Sequence, residues 1–547
     1  METVDAIVIG AGHNGLVAAN LLADAGWDVL VLEAAESPGG AVRSAELTAP
    51  GFVSDLCSAF YPLGAASPVL RRLGLTDYGV RWRHAPAVLA HLLPDGRAAV
   101  LSRDPERTAA SVAAFAPGDG ERWLAAYREW RGLSRRILDA LFTPFPPARA
   151  GAGLLRRLGP GGALRLARRA VLPARRLGEE LFAGEGARVL LAGCTLHTDL
   201  TLEQAGGGLY GWLLAMLGQE YGFPVPDGGA QRITDALVLR LHERGGRVEC
   251  GVPVDRIAVA RGRAMGVRPA GGDWLRANRA VLADVPAPVL YRELVGDRHL
   301  PPRLVDDLTR FAWDSATIKV DWALSGRVPW RNPAVAEAGT VHLGGDLNGM
   351  GRYASALARE QVPVEPFLLV GQMTTADPSR SPAGTESLWS YTHLPRRDKW
   401  EPDEVAAQVT RMEEAIEAHA PGFRELVIGR HVAGPAELAA ENRSLVGGAL
   451  GGGTAAAHQQ LVFRPVPGLG RADTPIDRLF LASSSAHPGP GVHGGPGANA
   501  ARAALARDRA ATGGFYAATI AAAHRRVYGA ATAPRPPGSG RGGSAPD

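Results

Sequence analysis

The stretch Asp5-Ala-Ile-Val-Ile-Gly10-Ala-Gly12-His13-Asn14-Gly15, with Glu33 eighteen residues beyond its last glycine, constrains this chain more than any other feature. Residues 6–9 form an apolar run of the length of a buried parallel strand. Three glycines then open a helix expected over 16–25, which Gly26 stops. A second apolar run, 29–32, ends in the Glu33 carboxylate. Strand, glycine turn, helix, strand and acid in this order describe a βαβ unit that grips a dinucleotide. Gly10 permits the turn, Gly12 admits a pyrophosphate to the backbone, and Gly15 lets helix and strand pack closely. The helix N-terminus, with unpaired N–H groups and a favourable dipole, takes the phosphates. Glu33 is placed to accept hydrogen bonds from a ribose.

The residues after Glu33 decide which dinucleotide. Glu36-Ser-Pro-Gly39-Gly40-Ala-Val-Arg43 carries a second glycine pair and a basic residue, which a nicotinamide site does not require. This loop resembles the extended FAD fingerprint of the amine oxidase and phytoene desaturase group, where it runs beside the cofactor's phosphates and ribityl chain. That group usually has Arg directly after the glycine pair, and this chain has Ala41. Either Arg43 supplies the charge or backbone N–H groups suffice. A plain surface turn is the alternative reading of the loop alone.

A chain of 547 residues is long for one core and points to two or three domains. The expected class is α/β: a discontinuous Rossmann-like FAD-binding domain made of residues 1–75, 225–300 and 446–529, with an inserted mixed-sheet plus helical substrate domain from 76–224 and 301–445. Residues 75–220 read as mostly helical. Beyond Gly228-Gly229 come a helix over 234–243, a strand over 247–254, a hairpin around Arg261-Gly262 and a strand over 279–284. This order resembles the second FAD segment of the phytoene desaturase family, which implies that Val254 meets the adenine side through its backbone. An independent α/β domain is the other reading. Strands over 315–324, 366–373 and 386–393 with a helix over 403–420 read as a unit that roofs the flavin and shapes a substrate cavity. The Pro, Gly and Ser-rich tail 530–547 reads as disordered.

The third cofactor segment is a strand over 478–482, the loop Ser483-Ser-Ser-Ala-His487-Pro-Gly-Pro-Gly491-Val-His493-Gly494-Gly495-Pro-Gly497, and a helix over 500–511. Together with His13-Asn14, Gly39-Gly40, Arg464-Pro465 and Thr474-Pro475, it resembles the phytoene desaturase-like FAD oxidoreductases, over roughly residues 5–511. The similarity is strongest to the branch named pyridine nucleotide-disulfide oxidoreductase domain-containing protein 2. The resemblance implies FAD as cofactor, with Gly494, Gly495 and the following helix N-terminus facing the flavin ring or its ribityl and phosphate groups. His487 and His493, as imidazoles in this loop, could hydrogen-bond flavin or substrate or shuttle a proton, with His487 the candidate catalytic residue; each is otherwise a loop residue bonded to backbone. The loop departs from the family pattern: Ala-Ser-Ser-Ser stands where Cys-Gly-Ala-Gly is frequent, which leaves its geometry open.

Other classes are poorly supplied. Cys57, Cys194 and Cys250 are far apart, so the chain has neither a redox CxxC nor a cysteine zinc site, and no metal-ligand cluster stands out. The first strand begins within five residues and no apolar run reaches membrane-spanning length, so a cytoplasmic protein is expected. Between Asp139 and Glu179 there are eight arginines and no acid. Residues 149–176 therefore read either as a solvated lid or as short helices in peripheral contact with an anionic membrane. Nucleic acid is the poorer reading, because aromatic residues for stacking are absent there. The leading reading is an FAD-dependent dehydrogenase or desaturase that takes hydride from a lipophilic small molecule and passes electrons to an unidentified acceptor. An amine oxidase and an FAD-bearing regulator or lipid carrier are its rivals.

Overall fold

A computed structural model describes residues 2–529 of the chain. The tail expected over 530–547 lies outside the described residues. β1 (Thr3–Ile9), α1 (His13–Ala23) and β2 (Val29–Leu32) form the opening unit. β1 is buried over most of its length and β2 entirely, as apolar strands at the centre of a parallel sheet must be. β1 pairs in parallel with β2 on one side, Ile9 opposite Leu32, and with Leu275–Ala283 on the other, Ile7 opposite Val281. Arg247–Glu249 extends the sheet beyond β2, and Leu479–Leu481 lies parallel to the end of Leu275–Ala283. An antiparallel hairpin, Val254–Ala260 and Arg263–Pro269, completes seven strands. It turns at Arg261-Gly262, both with positive φ, the geometry that follows the twist of a tight hairpin. The strands of this sheet thus come from three separated stretches of chain.

The second sheet also has seven strands, in the order Val427–Ala433, Ala316–Leu324, Glu386–Leu394, Leu368–Gln372, Ala338–Leu343, Ala87–Leu92 and Ala98–Leu101. It is mixed: Ala338–Leu343 runs parallel to Ala87–Leu92, and the other neighbours are antiparallel. Residues 75–220 are mostly helical, as expected, but they also supply two strands of this sheet that the sequence reading did not single out. Ala87–Leu92 is a continuous apolar run buried on both faces, and such a run carries no period that separates strand from helix.

Other element boundaries also shift. The strand expected over 247–254 is two strands, because the chain turns at Gly251 (φ +72°) and Pro253 while the N–H groups of Gly251 and Val252 bond to the carbonyls of Ala35 and Glu33. The basic segment forms short helices: one on each side of the non-helical Gly159 (φ +65°) within Ala148–Val171, and Ala174–Leu181, which holds Arg175 and Arg176. The helices expected over 16–25 and 500–511 are His13–Ala23 and Gly495–Asp508: each starts inside its glycine loop, where a helix needs no apolar period.

Two buried arginines fasten the layers around the site. Arg380 pairs with Asp55 at 2.9 Å and Asp377 at 3.1 Å, tying the loop before the Glu386–Leu394 strand to the first cofactor segment. Arg464 donates to the carbonyls of Gly451, Thr454 and Ser484 and so clamps two loops together. Removing one member of such a buried pair costs about 3–5 kcal/mol, since it strands the other charge away from water.

Candidate functional site

A cavity of about 930 Å³ runs from the glycine turn after β1 to the face of the mixed sheet. At its first end the backbone leaves no room for side chains. Gly10 has φ +94°, a conformation open to glycine. A Cβ on Gly12 would lie 2.6 Å from Asp284 Oδ2, and one on Gly15 would lie 2.1 Å from the Gly10 carbonyl oxygen. The Gly39–Gly40 loop crosses this turn: Gly39 N–H donates to the Ala11 carbonyl at 2.9 Å, and a Cβ on Gly40 would touch Gly12 Cα at 3.4 Å. The two glycine motifs therefore form one backbone cradle at the N-terminus of α1. Asn14 Oδ1 is buried there without a partner.

Glu33 lies in the cavity wall at the end of β2, where it accepts N–H bonds from Ala11 at 2.6 Å and Ala35 at 2.9 Å. These hold its carboxylate beside the cradle. Arg43 also lines the cavity, but its guanidinium is engaged: it donates to the Gly40 carbonyl at 3.1 Å and to Glu441 Oε1 at 2.6 Å. Val254 lines the same end. His13 donates from Nε2 to the Gly491 carbonyl at 3.2 Å, joining α1 to the C-terminal loop, and burial lowers its pKa to about 4.

The C-terminal loop contributes differently from its sequence expectation. His487 does not line the cavity; its ring packs edge-on against Phe145, and burial lowers its pKa to about 4. Pro488 and His493 reach the wall instead. His493 Nδ1 accepts the Gly495 N–H at 3.0 Å and its Nε2 donates to the Pro490 carbonyl at 3.2 Å, so the imidazole is neutral and pins the loop. Gly494 and Gly495 also stand behind the wall. A Cβ on Gly494 would meet Val17 Cγ2 at 2.8 Å, and one on Gly495 would meet Pro488 Cγ at 2.9 Å. Gly497 completes the approach: its Cβ would fall 2.0 Å from the Asn14 carbonyl oxygen. These glycines bring the N-termini of two helices together.

One residue with a clear place here had no role assigned from sequence. Asp284, at the end of its strand, accepts the Gly15 N–H at 2.8 Å and lines the cavity. Burial and the nearby Glu33 push its pKa up to about 7. A carboxyl that holds its proton there can sit beside a pyrophosphate without repelling it.

The far end is built from side chains. The helix Gly207–Tyr221 turns Tyr210, Leu213, Leu214 and Leu217 towards the cavity, the i, i+3, i+4, i+7 set of one helical face. The strand Glu386–Leu394 supplies the alternate residues Trp389, Tyr391 and His393. Trp389 and Tyr391 stack at 5.9 Å and 10°, against each other and not apart as a slot. Phe60, Phe223 and Leu369 add apolar surface.

The cavity's two ends fit FAD: the cradle and Glu33 suit pyrophosphate and ribose, and the apolar end suits a ring and an apolar substrate. Among the described residues no group of His, Cys, Asp or Glu could hold a metal, and no helix is long and apolar enough to cross a membrane. In the basic segment, Arg168, Arg169, Arg175 and Arg176 pair with Glu180, Glu129, Glu203 and Glu180. Leu155, Leu164 and Val171 are more than half exposed there, at 51%, 73% and 61%.

Residues 15–495 match the family described as flavin containing amine oxidoreductase. The Rattus norvegicus protein named pyridine nucleotide-disulfide oxidoreductase domain-containing protein 2 is 26% identical over 542 residues, spanning 91% of this chain and 92% of its own. A neurosporene-forming phytoene desaturase from Cereibacter sphaeroides is 26% identical over 534 residues, 92% of this chain and 94% of that protein. Among solved structures, an oxidoreductase from Methanosarcina mazei shares the fold with a TM-score of 0.61, over 92% of this chain and 100% of its own, at 16% identity.

Proposed function

This chain belongs to the flavin containing amine oxidoreductase family as an FAD-dependent oxidoreductase, and from that premise we propose that it dehydrogenates a largely apolar, polyene- or isoprenoid-like molecule. The observation that carries the proposal is the far wall, where Leu213, Leu214, Leu217, Phe223, Leu369 and Trp389 offer apolar surface. Bound FAD supplies the two-electron acceptor. The cradle of Gly10 and Gly12 binds its pyrophosphate, and Glu33 accepts from its ribose. The apolar wall orients the substrate and excludes water. The phytoene desaturase relative agrees with this chemistry.

The Trp389–Tyr391 pair stacks ring on ring and forms no slot for a cation between the two, which favours an apolar substrate over an amine. The test is anaerobic bleaching of the FAD absorbance. Acyclic C40 polyenes in phosphatidylcholine vesicles should bleach it, and primary alkylamines should not. Bleaching by amines alone would overturn the proposal, and bleaching by neither would favour a lipid-binding regulator.

The same reading places the protein in the cytoplasm, peripheral to a membrane. Arg149, Arg156, Arg157 and Arg165 form no ion pair among the described residues and flank the exposed leucines of 148–171, a pattern that suits an anionic lipid surface. Co-sedimentation with anionic but not neutral vesicles, lost in Leu155→Asp/Leu164→Asp, checks it.

A further inference from the structure

The far end of the cavity is apolar except where two acids and a histidine meet. Asp199 and Asp314 both line the wall, and one loop holds them. Asp314 Oδ2 accepts the N–H groups of Leu450 at 2.8 Å and Gly451 at 2.7 Å. Asp199 accepts the Thr454 hydroxyl at 2.5 Å and the Ala455 N–H at 2.8 Å. His393 stands beside Asp314, as the register partner of Thr317 three residues further along, and its ring packs edge-on against Tyr391 at 5.5 Å.

His393 is only 6% exposed, and its Nδ1 lies 3.3 Å from Thr317 Oγ1 on the neighbouring strand. Nε2, across the ring, faces away from that strand and is buried without a partner, in a residue of the cavity wall. A side chain that served packing alone would not carry a polar atom with nothing to bond. The other histidine at this end is engaged: His197 Nε2 lies 2.8 Å from His342 Nε2, and His342 is the register partner of His91 on the next strand.

The charges around this nitrogen narrow what it can bind. The buried Arg464 acts on both acids: it donates to the Thr454 carbonyl at 3.0 Å, behind the loop that holds them. Arg396, which donates to the Val446 carbonyl at 2.9 Å, acts on Asp314. Two carboxylates facing two guanidiniums leave the corner balanced, without an unmet demand for a cation. Burial lowers the pKa of His393, so its ring is neutral. Nε2 of a neutral ring donates or accepts according to which nitrogen holds the proton, and a hydroxyl serves it in either tautomer. We propose that His393 is a specificity residue whose Nε2 binds a hydroxyl group carried by an otherwise apolar substrate.

The subsite deepens the dehydrogenase reading above and rests on its apolar substrate, which becomes an isoprenoid alcohol. The leucines of the helix Gly207–Tyr221 take the hydrocarbon and supply most of the binding. The single hydrogen bond fixes how far the chain enters, and hence which C–C bond is presented for dehydrogenation. In this role His393 sets the register of the substrate and moves no proton. An analogue without the hydroxyl leaves Nε2 unpaired, and a site built to bond a hydroxyl discriminates for that reason.

The test uses FAD-loaded protein and three probes of one chain length, geranylgeraniol, its methyl ether and geranylgeranylamine, with binding read by equilibrium dialysis. Wild type should hold the alcohol at least about 10-fold more tightly than the ether. His393→Phe should remove that preference without weakening the ether, and His393→Gln should retain part of it; His393→Leu replaces the Phe variant if that one does not fold. In ¹⁵N-histidine spectra, a resonance absent from the His393→Phe protein should shift with the alcohol and stay in place with the ether. Equal affinity for alcohol and ether, or none for either, would mean that solvent satisfies Nε2, and overturns the subsite. A preference that survives His393→Phe or His393→Leu overturns it too, as does tighter binding of the amine than of the alcohol, which would show the acids selecting a cation. Dialysis needs no turnover, so the subsite can fail while C40 polyenes bleach the flavin, and can hold while they do not.

Discussion

The two ends of the cavity are built by opposite means. At the cradle, contacts are made by backbone: Gly10, Gly12, Gly15, Gly39 and Gly40 approach one another and Asp284 so closely that a Cβ collides at several of them. At the far end, side chains from the helix Gly207–Tyr221, the strand Glu386–Leu394 and the Phe60 loop meet across large sequence separations. A backbone site tolerates almost no substitution, because the conflict is steric and adjacent to the main chain. A side-chain wall tolerates exchange as long as volume and polarity are kept. On the proposed reading, the cradle holds the cofactor and the wall selects the substrate.

The sharpest test of this contrast is Gly12→Val. Its branched side chain would press on Asp284 and the pyrophosphate position, so the purified variant should be colourless and release no FAD on acidification. A yellow variant with wild-type FAD content would break the comparison at the cradle. Next comes Leu213→Trp, which fills the far end. FAD content and spectrum should be unchanged while kcat/KM for the polyene falls about 100-fold; a fall in FAD content instead would mean that the two ends are not separable.

Glu33→Ala should be milder. Losing charge-assisted bonds of about 1.5–3 kcal/mol weakens FAD roughly 10- to 100-fold, and titration calorimetry on the stripped protein reads it. Equal affinities would show that the Ala11 and Ala35 N–H groups are the only partners of this carboxylate. At Asp284 the effect is a pH dependence of stability and leaves the wild-type fold in place. Its folded pKa of about 7 lies above that of an unfolded carboxyl, so the folded chain holds a proton the unfolded chain releases. That contribution is complete below about pH 4 and is lost as pH rises towards 7, at no more than about 1.4 kcal/mol per pH unit. Thermal melting of FAD-free Asp284→Asn should lack this slope, and a profile parallel to wild type would place the titration elsewhere.

The cradle was legible because its information is local. Gly10, Gly12, Gly15 and Glu33 lie within 24 consecutive residues, and each has one physical reason to be what it is. The C-terminal loop was half legible. Its glycines announce a close approach, but whether they approach a ligand or another helix depends on what packs opposite, and Val17, Asn14 and Pro488 occupy that place. His487 shows the same limit: a histidine in a glycine-rich loop reads as chemistry until Phe145 is found against its ring. The strand Ala87–Leu92 was not singled out within the mostly helical stretch because burial on both faces erases the period.

By itself, then, the sequence determined the βαβ unit, since short-range periodicity, glycine spacing and a terminal acid are written along one stretch of chain, while the FAD class and the layered α/β architecture came with the resemblance of its three cofactor segments to the phytoene desaturase group. Only the tertiary structure decided what Asp284 does, which faces of Gly207–Tyr221 and Glu386–Leu394 line the cavity, and that His91, His197 and His342 share one row. Those meetings depend on sheet register and helix packing between segments more than a hundred residues apart, where a one-residue slip turns every side chain to the other face.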